Sequence, residues 1–177
     1  MALLISVLTS MLLLVQAPRA SEYQLKAVFL FNFAQFVDWP PPAAGAPDAG
    51  SPLRIGILGD DPFGRLLDEI VRGERIGARP FEVRRYRQVG DVEGCAILFI
   101  SRAENERLPQ ILAALGNRPT LTVSDGADFA KQGGMIQFVT DKNRVRLRVN
   151  LEAAQSARLS ISSKLLRVAE IVRPANR

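Results

Sequence analysis

Three arginines, Arg144, Arg146 and Arg148, stand at every second position late in the chain. A period of two puts all three on one face of a β-strand. Such a row suits an acidic partner, because complementary charge speeds association. It also suits plain edge protection, since basic side chains on an outer strand discourage unwanted pairing. Phe33, Phe36 and Trp39 form a second set. They are candidate anchors of a dimer or partner interface, set against the commoner role of aromatic stripes as core. A third set is Ser101 and Ser124-Asp125. These fall where strands of a parallel sheet end, the edge at which α/β folds take small ligands.

Catalytic chemistry finds little to work with. Histidine is absent, which removes the usual general base and the commonest metal ligand. A Ser-His-Asp machine and an ordinary zinc site are therefore excluded, and no EF-hand loop occurs. Gly59-Asp60-Asp61-Pro62-Phe63-Gly64 has the glycine spacing of a P-loop, but Arg65-Leu66 follow where Lys and Ser or Thr are needed. Asp61 before Pro62 reads better as a helix cap. Cys95 is the single cysteine. It allows no bond within the chain, and it reads as a buried, inert thiol, with a bond between two chains as the alternative. No catalytic residue, cofactor-binding residue or metal ligand is assigned.

The arginine row needs a hairpin to hold it. Met135, Gln137 and Val139 alternate with Ile136, Phe138 and Thr140. After the turn Asp141-Lys142-Asn143, Val145, Leu147 and Val149 oppose the arginines. One polar and one apolar face place this strand at or near a sheet edge. Asn150 stands as an N-cap with Glu152 in the first turn. Ala154, Ala157, Ile161, Leu165, Val168 and Val172 then recur at three and four, which predicts one long amphipathic helix ending at Pro174.

The aromatic set needs a helix over 22–39, apolar almost all round, that must be covered on more than one side. Pro40 to Pro52 is a Pro/Ala/Gly connector that builds no packed element. Alternation follows: a strand over 53–58, a helix from Pro62 to about Arg72 and a strand over 80–87. A strand over 95–100, a helix over 105–115, a strand over 120–123 and a short helix over 127–132 complete it. The expectation is an α/β three-layer sandwich: a mostly parallel sheet, an antiparallel C-terminal hairpin and a long C-terminal helix.

Residues 2–15 are nearly all apolar and are followed by Ala17-Pro18-Arg19-Ala20. The run is short for a membrane span and reads as a signal peptide over 1–20, with more than one plausible cleavage point. Residues 21–177 then suit one domain with a flexible loop at 40–52. The chain carries 23 basic and 18 acidic residues, a net charge of +5. That is compatible with anionic surfaces but short of the concentrated charge of a nucleic-acid binder.

LKAVFLFNFAQFVDWP, LRIGILGDDPFG, CAILFIS, LTVSDGADFAKQGGMIQFV and NRVRLRVNLEAAQSARLSISSKLLRVAEIV, taken in order, resemble the YfiR family of exported regulatory proteins. NFAQFVDWP and NLEAAQSARLSISSKLL are the most specific blocks. The resemblance implies a periplasmic repressor without enzymatic activity. It would bind the periplasmic sensor domain of a membrane-anchored signalling protein, foremost an inner-membrane diguanylate cyclase. It further implies a homodimer, an outer-membrane lipoprotein that sequesters the repressor, and a part in cyclic-di-GMP signalling and biofilm control. Better-known members carry paired cysteines; this chain, with Cys95 alone, departs from them. The alternative reading is a periplasmic small-molecule binding module.

Overall fold

The computed structural model describes residues 17–41 and 50–173. Most of the expected signal peptide and residues 42–49 of the connector lie outside the described residues. In chain order the elements are α1 (Ala17–Phe36), β1 (Val37–Asp38), β2 (Leu53–Leu58), α2 (Arg65–Val71), β3 (Arg75–Ile76), β4 (Arg79–Tyr86) and β5 (Cys95–Ile100). They continue with α3 (Leu108–Leu115), β6 (Leu121–Ser124), β7 (Ile136–Asp141), β8 (Arg144–Val149), α4 (Leu151–Ser156), β9 (Ser160–Ile161), α5 (Ser163–Leu166) and β10 (Ala169–Ile171).

Eight strands form one sheet in the order β10-β8-β7-β6-β5-β2-β4-β3. Only the β7–β8 and β3–β4 pairs are antiparallel. The sheet therefore has the mixed, mostly parallel character that βαβ alternation requires. The strand β5 shows why both its faces must be covered: every residue from Cys95 to Ile100 is buried. Ile97 and Phe99 enter a core shared with Ala27, Leu30 and Phe33 of α1 and Leu67 of α2. Leu98 and Ile100 enter a second core with Leu108, Ile111 and Leu115 of α3. Period-two alternation thus feeds two separate cores from one apolar run.

The β7–β8 hairpin forms in the register Phe138↔Leu147 and Asp141↔Arg144. Its two turn residues, Lys142 (φ 48°) and Asn143 (φ 60°), are both left-handed, the conformation whose twist matches a two-residue hairpin. The strand β8 is one place in from the edge. The outer position belongs to β10, parallel to it through Ala169↔Leu147 and Ile171↔Val149.

The long C-terminal helix is not formed. Asn150 caps as expected, its side chain accepting from the Ala153 amide at 3.0 Å. The helix α4 nevertheless ends at Ser156, and Arg158 turns left-handed (φ 59°) while the Leu159 amide bonds back to the Ala154 carbonyl, a common way to stop a helix. Ser160 and Ile161 then pair antiparallel with Asp38 and Val37. Ser162 caps α5 by accepting from the Lys164 amide at 3.2 Å. The hydroxyls of 160–163 favour caps and extended backbone over helix interior, and that local preference breaks the helix. Ala154, Ala157, Ile161 and Leu165 are still buried. The apolar spacing marked the inward positions, but the path between them is helix, strand, helix and strand. Val168, by contrast, is 70% exposed.

Smaller corrections follow the same logic. The expected helix over 127–132 is a run of turns with Asp128 left-handed (φ 53°). The helix expected over 105–115 is a 3-10 stretch, Arg102–Arg107, followed by α3. Asp61 accepts from the amides of Phe63 and Gly64 at 2.8 and 3.1 Å, one turn before α2 begins.

Candidate functional site: an ionic cleft at the carboxyl edge of the sheet

The parallel strands β5 and β6 end side by side, so the residues following them, Arg102 and Asp125, emerge on the same edge. Backbone and side-chain bonds fix both turns. The Ser101 amide donates to the Leu58 carbonyl at 2.9 Å. Ser124 Oγ accepts from the Gly126 amide at 2.9 Å, and Gln137 Nε2 donates to the Gly126 carbonyl at 2.9 Å. The first turns of α1 cross this edge. Ala27 and Leu30 face the core while Glu22, Tyr23 and Lys26 face the strand ends. With Phe138 and Thr140 of β7 they line a cleft of about 430 Å³.

Lys26 is 1% exposed, a rare state for a lysine. Its ammonium lies 2.5 Å from Glu22 Oε1 and 2.8 Å from Asp125 Oδ2, and 4.5 Å from the centre of the Tyr23 ring. Asp125 Oδ2 accepts three charge-assisted or phenolic bonds: from Lys26 and from Tyr23 Oη at 2.8 Å each, and from Arg102 Nη2 at 2.7 Å. Arg102 Nη2 also donates to Tyr23 Oη. Thr140 Oγ1 donates to Glu22 Oε1 at 2.9 Å. A buried charge is tolerable when paired and hydrogen-bonded, and Lys26 has two carboxylate oxygens and the face of the Tyr23 ring around its ammonium.

Protonation follows the geometry. Burial opposes ionisation of Asp125, but the Lys26, Arg102 and Tyr23 donors outweigh it and hold the carboxyl below its ordinary range. Burial likewise opposes ionisation of Glu22, and Lys26 and Thr140 again outweigh it. Burial, then the adjoining Asp125 carboxylate, push the Tyr23 phenol up to about 12. At neutral pH the cleft holds two carboxylates, two cations and a neutral phenol. A phenol so far above its ordinary value is no base, and a lysine locked between carboxylates is no nucleophile. The arrangement is suited to holding, not to bond-making.

Of the sequence candidates, Asp125 lies in the cleft and Ser101 and Ser124 support the turns beside it. The arginine row lies elsewhere. Arg148 Nε meets Glu170 at 3.0 Å, Arg146 meets Asp141 at 3.7 Å, and Arg144 is exposed. Phe33 offers no surface, being fully buried with its ring 5.9 Å from that of Phe138. As an interface anchor it is corrected to core, because neighbouring elements of its own chain enclose it. Phe36 and Trp39 are partly buried against the same core, and Trp39 Nε1 donates to the Ala96 carbonyl at 3.2 Å. Cys95 is buried, its thiol donating to Tyr86 Oη at 3.4 Å, and burial raises its pKa. A bond between two chains has no access to it as folded.

Sequence reasoning missed Tyr23, Lys26, Glu22 and Arg102. One signal was present: Lys26 is the only basic residue between Glu22 and Trp39 in a helix otherwise apolar nearly all round. A charge in such a helix needs a partner elsewhere in the fold.

The sequence profile of the YfiR/HmsC-like family matches residues 23–170, from the first turns of α1 into β10. The chain belongs to the YfiR/HmsC-like family. No curated protein matches it significantly. The matched span holds the described sheet up to Glu170 of β10 and every cleft residue except Glu22. YfiR-type proteins are a periplasmic, regulatory family with a theme of cyclic-di-GMP signalling. No helix among the described residues is long and apolar enough to cross a membrane.

Proposed function

We propose that this protein is a periplasmic repressor that binds the periplasmic sensor domain of a membrane-anchored signalling protein, foremost a diguanylate cyclase, and holds its output down. The observation that carries this reading is the family match over residues 23–170, which spans nearly all of the described α/β unit. The chain is exported by its first twenty residues, works as a homodimer, and is withdrawn from its target by an outer-membrane lipoprotein. Arg144 and Arg146, exposed at the free end of the β7–β8 hairpin, face an acidic patch of the partner. Phe36 and Trp39 contribute aromatic surface at the end of α1.

Co-purification tests the proposal. The mature chain is offered, at low salt, to the periplasmic domains of the membrane cyclases and kinases from the same cell. Retention of one of them, lost on raising the salt, is the expected result. Retention of none would sink the repressor reading. A second reading, a periplasmic small-molecule binding module, is favoured by the polar cleft at the sheet's carboxyl edge.

A further inference from the structure

The bonds within the cleft leave two charged groups half used, and they are of opposite sign. Arg102 spends only Nη2 on Tyr23 and Asp125. Its Nε and Nη1 have no partner among the described residues, and its side chain is 60% exposed. Each of these free N–H groups can donate a charge-assisted hydrogen bond to a carboxylate oxygen, one at a time and not as a pair. Glu22 accepts from Lys26 and Thr140 through Oε1 alone. Its Oε2 has no partner among the described residues, and the side chain is 24% exposed. A carboxylate oxygen so placed takes an ammonium or another strong donor.

The charge balance narrows the choice. Glu22 and Asp125 cancel Lys26 and Arg102, so a net anion meets two carboxylates and a net cation meets two cations. A molecule bearing one charge of each sign meets neither penalty and continues the alternation already present in the cleft. Size and lining narrow it again. About 430 Å³ accommodates a small molecule, and Phe138 is the only wholly apolar side chain in the lining. A large apolar substituent finds no matching wall there.

We propose that this cleft is a binding site for a compact zwitterion, a small molecule with a carboxylate and a primary ammonium group and no bulky apolar side chain. The carboxylate accepts from the free Nη1 of Arg102 and the ammonium donates to Glu22 Oε2. Lys26 and Asp125 are not ligands but the fixed floor that orients these two groups. This site is additional to the repressor reading and needs no partner protein.

Titration calorimetry and thermal unfolding of the mature protein test it with glycine, alanine, serine and β-alanine. Acetate and methylammonium serve as the two halves, glycine betaine as the zwitterion without a donor, and phenylalanine as the bulky one. Saturable binding of at least one small zwitterion is expected, with the halves, betaine and phenylalanine each weaker. Arg102→Gln, a change at an exposed side chain, should weaken that binding by roughly tenfold or more, as loss of a charged hydrogen bond requires. Glu22→Gln should weaken ammonium-bearing ligands while leaving acetate unchanged. The proposal is overturned if no zwitterion binds at millimolar concentration, if acetate or methylammonium alone binds as well, or if Arg102→Gln binds unchanged. Failure here with partner capture intact removes only this site; capture lost with ligand binding intact removes only the repressor reading.

Discussion

The molecule has two concentrations of charge, and they are built differently. On β8 three arginines lie along one strand face, each exposed or part-exposed, with one carboxylate each at Arg146 and Arg148. At the carboxyl edge of the sheet, α1, the turn after β5, the turn after β6 and β7 send side chains to one point, where Asp125 Oδ2 alone accepts three donors. The row is dense in sequence and loose in space; the cleft is scattered in sequence and tight in space. Solvated charges interact weakly because water screens them and long side chains resist being fixed. Charges taken out of water depend on every partner. Spatial convergence therefore distinguishes a built polar site from a charged surface better than charge count does.

The sharpest break of that comparison is Asp125→Ala. It strands the Lys26 ammonium, leaving Glu22 as its only carboxylate, and should cost about 3–5 kcal/mol of stability, read by urea unfolding. A loss no greater than for the arginine row would dissolve the distinction. Phe33→Ala should cost about 3–5 kcal/mol as a core truncation, with Phe36→Ala and Trp39→Ala clearly milder. Equal losses at all three would make the whole stripe core.

Acid gives the next largest effect. Asp125 and Glu22 have lowered pKa values in the folded state. Their stabilisation is complete above the unfolded carboxylate values, near pH ~4, and is lost as pH falls through the lowered folded values. Stability measured by denaturant titration should decline below that point, and less steeply in Asp125→Asn. Tyr23 has the opposite sign. Its pKa rises to about 12, so its contribution holds below pH ~10 and fades as pH climbs toward the folded value. The smallest effect belongs to the row: Arg144, Arg146 and Arg148 changed together to Ser should shift stability by no more than about 1 kcal/mol. Unchanged affinity for a captured sensor domain would then leave the row as solvated surface charge.

The sheet was legible because strand signals are local. The β5 run from Cys95 to Ile100, the β7–β8 alternation and the Asn150 cap each carry their message within a few residues. The C-terminal path was not, because Ala154, Ala157, Ile161 and Leu165 are buried by helix and by strand alike, and spacing cannot say which. Ser160, Ser162 and Ser163 held the missing information in their hydroxyls. The cleft was legible in part: strand ends pointed to Asp125, whereas Lys26 and Arg102 reach it from about one hundred and about twenty positions away. Only the tertiary fold brings those distances to hydrogen-bond length, and the lone lysine of an apolar helix was its one outward sign.

The two-residue pairing of Val37-Asp38 with Ser160-Ile161 also bears on how this chain reaches its native state. It closes a loop of more than a hundred residues, and Asp125 must find Lys26 across nearly as long a span. Loop closure of that length is slow because its entropy is lost before its contacts form. The helix that begins the domain thus stays without its final cover until nearly the last strand exists. A chain cut after Asn150 would lack α4, β9, α5 and β10 altogether. It should show hydrogen exchange at α1 near the unprotected rate, and native-like protection there would mean that α1 docks without its late partners.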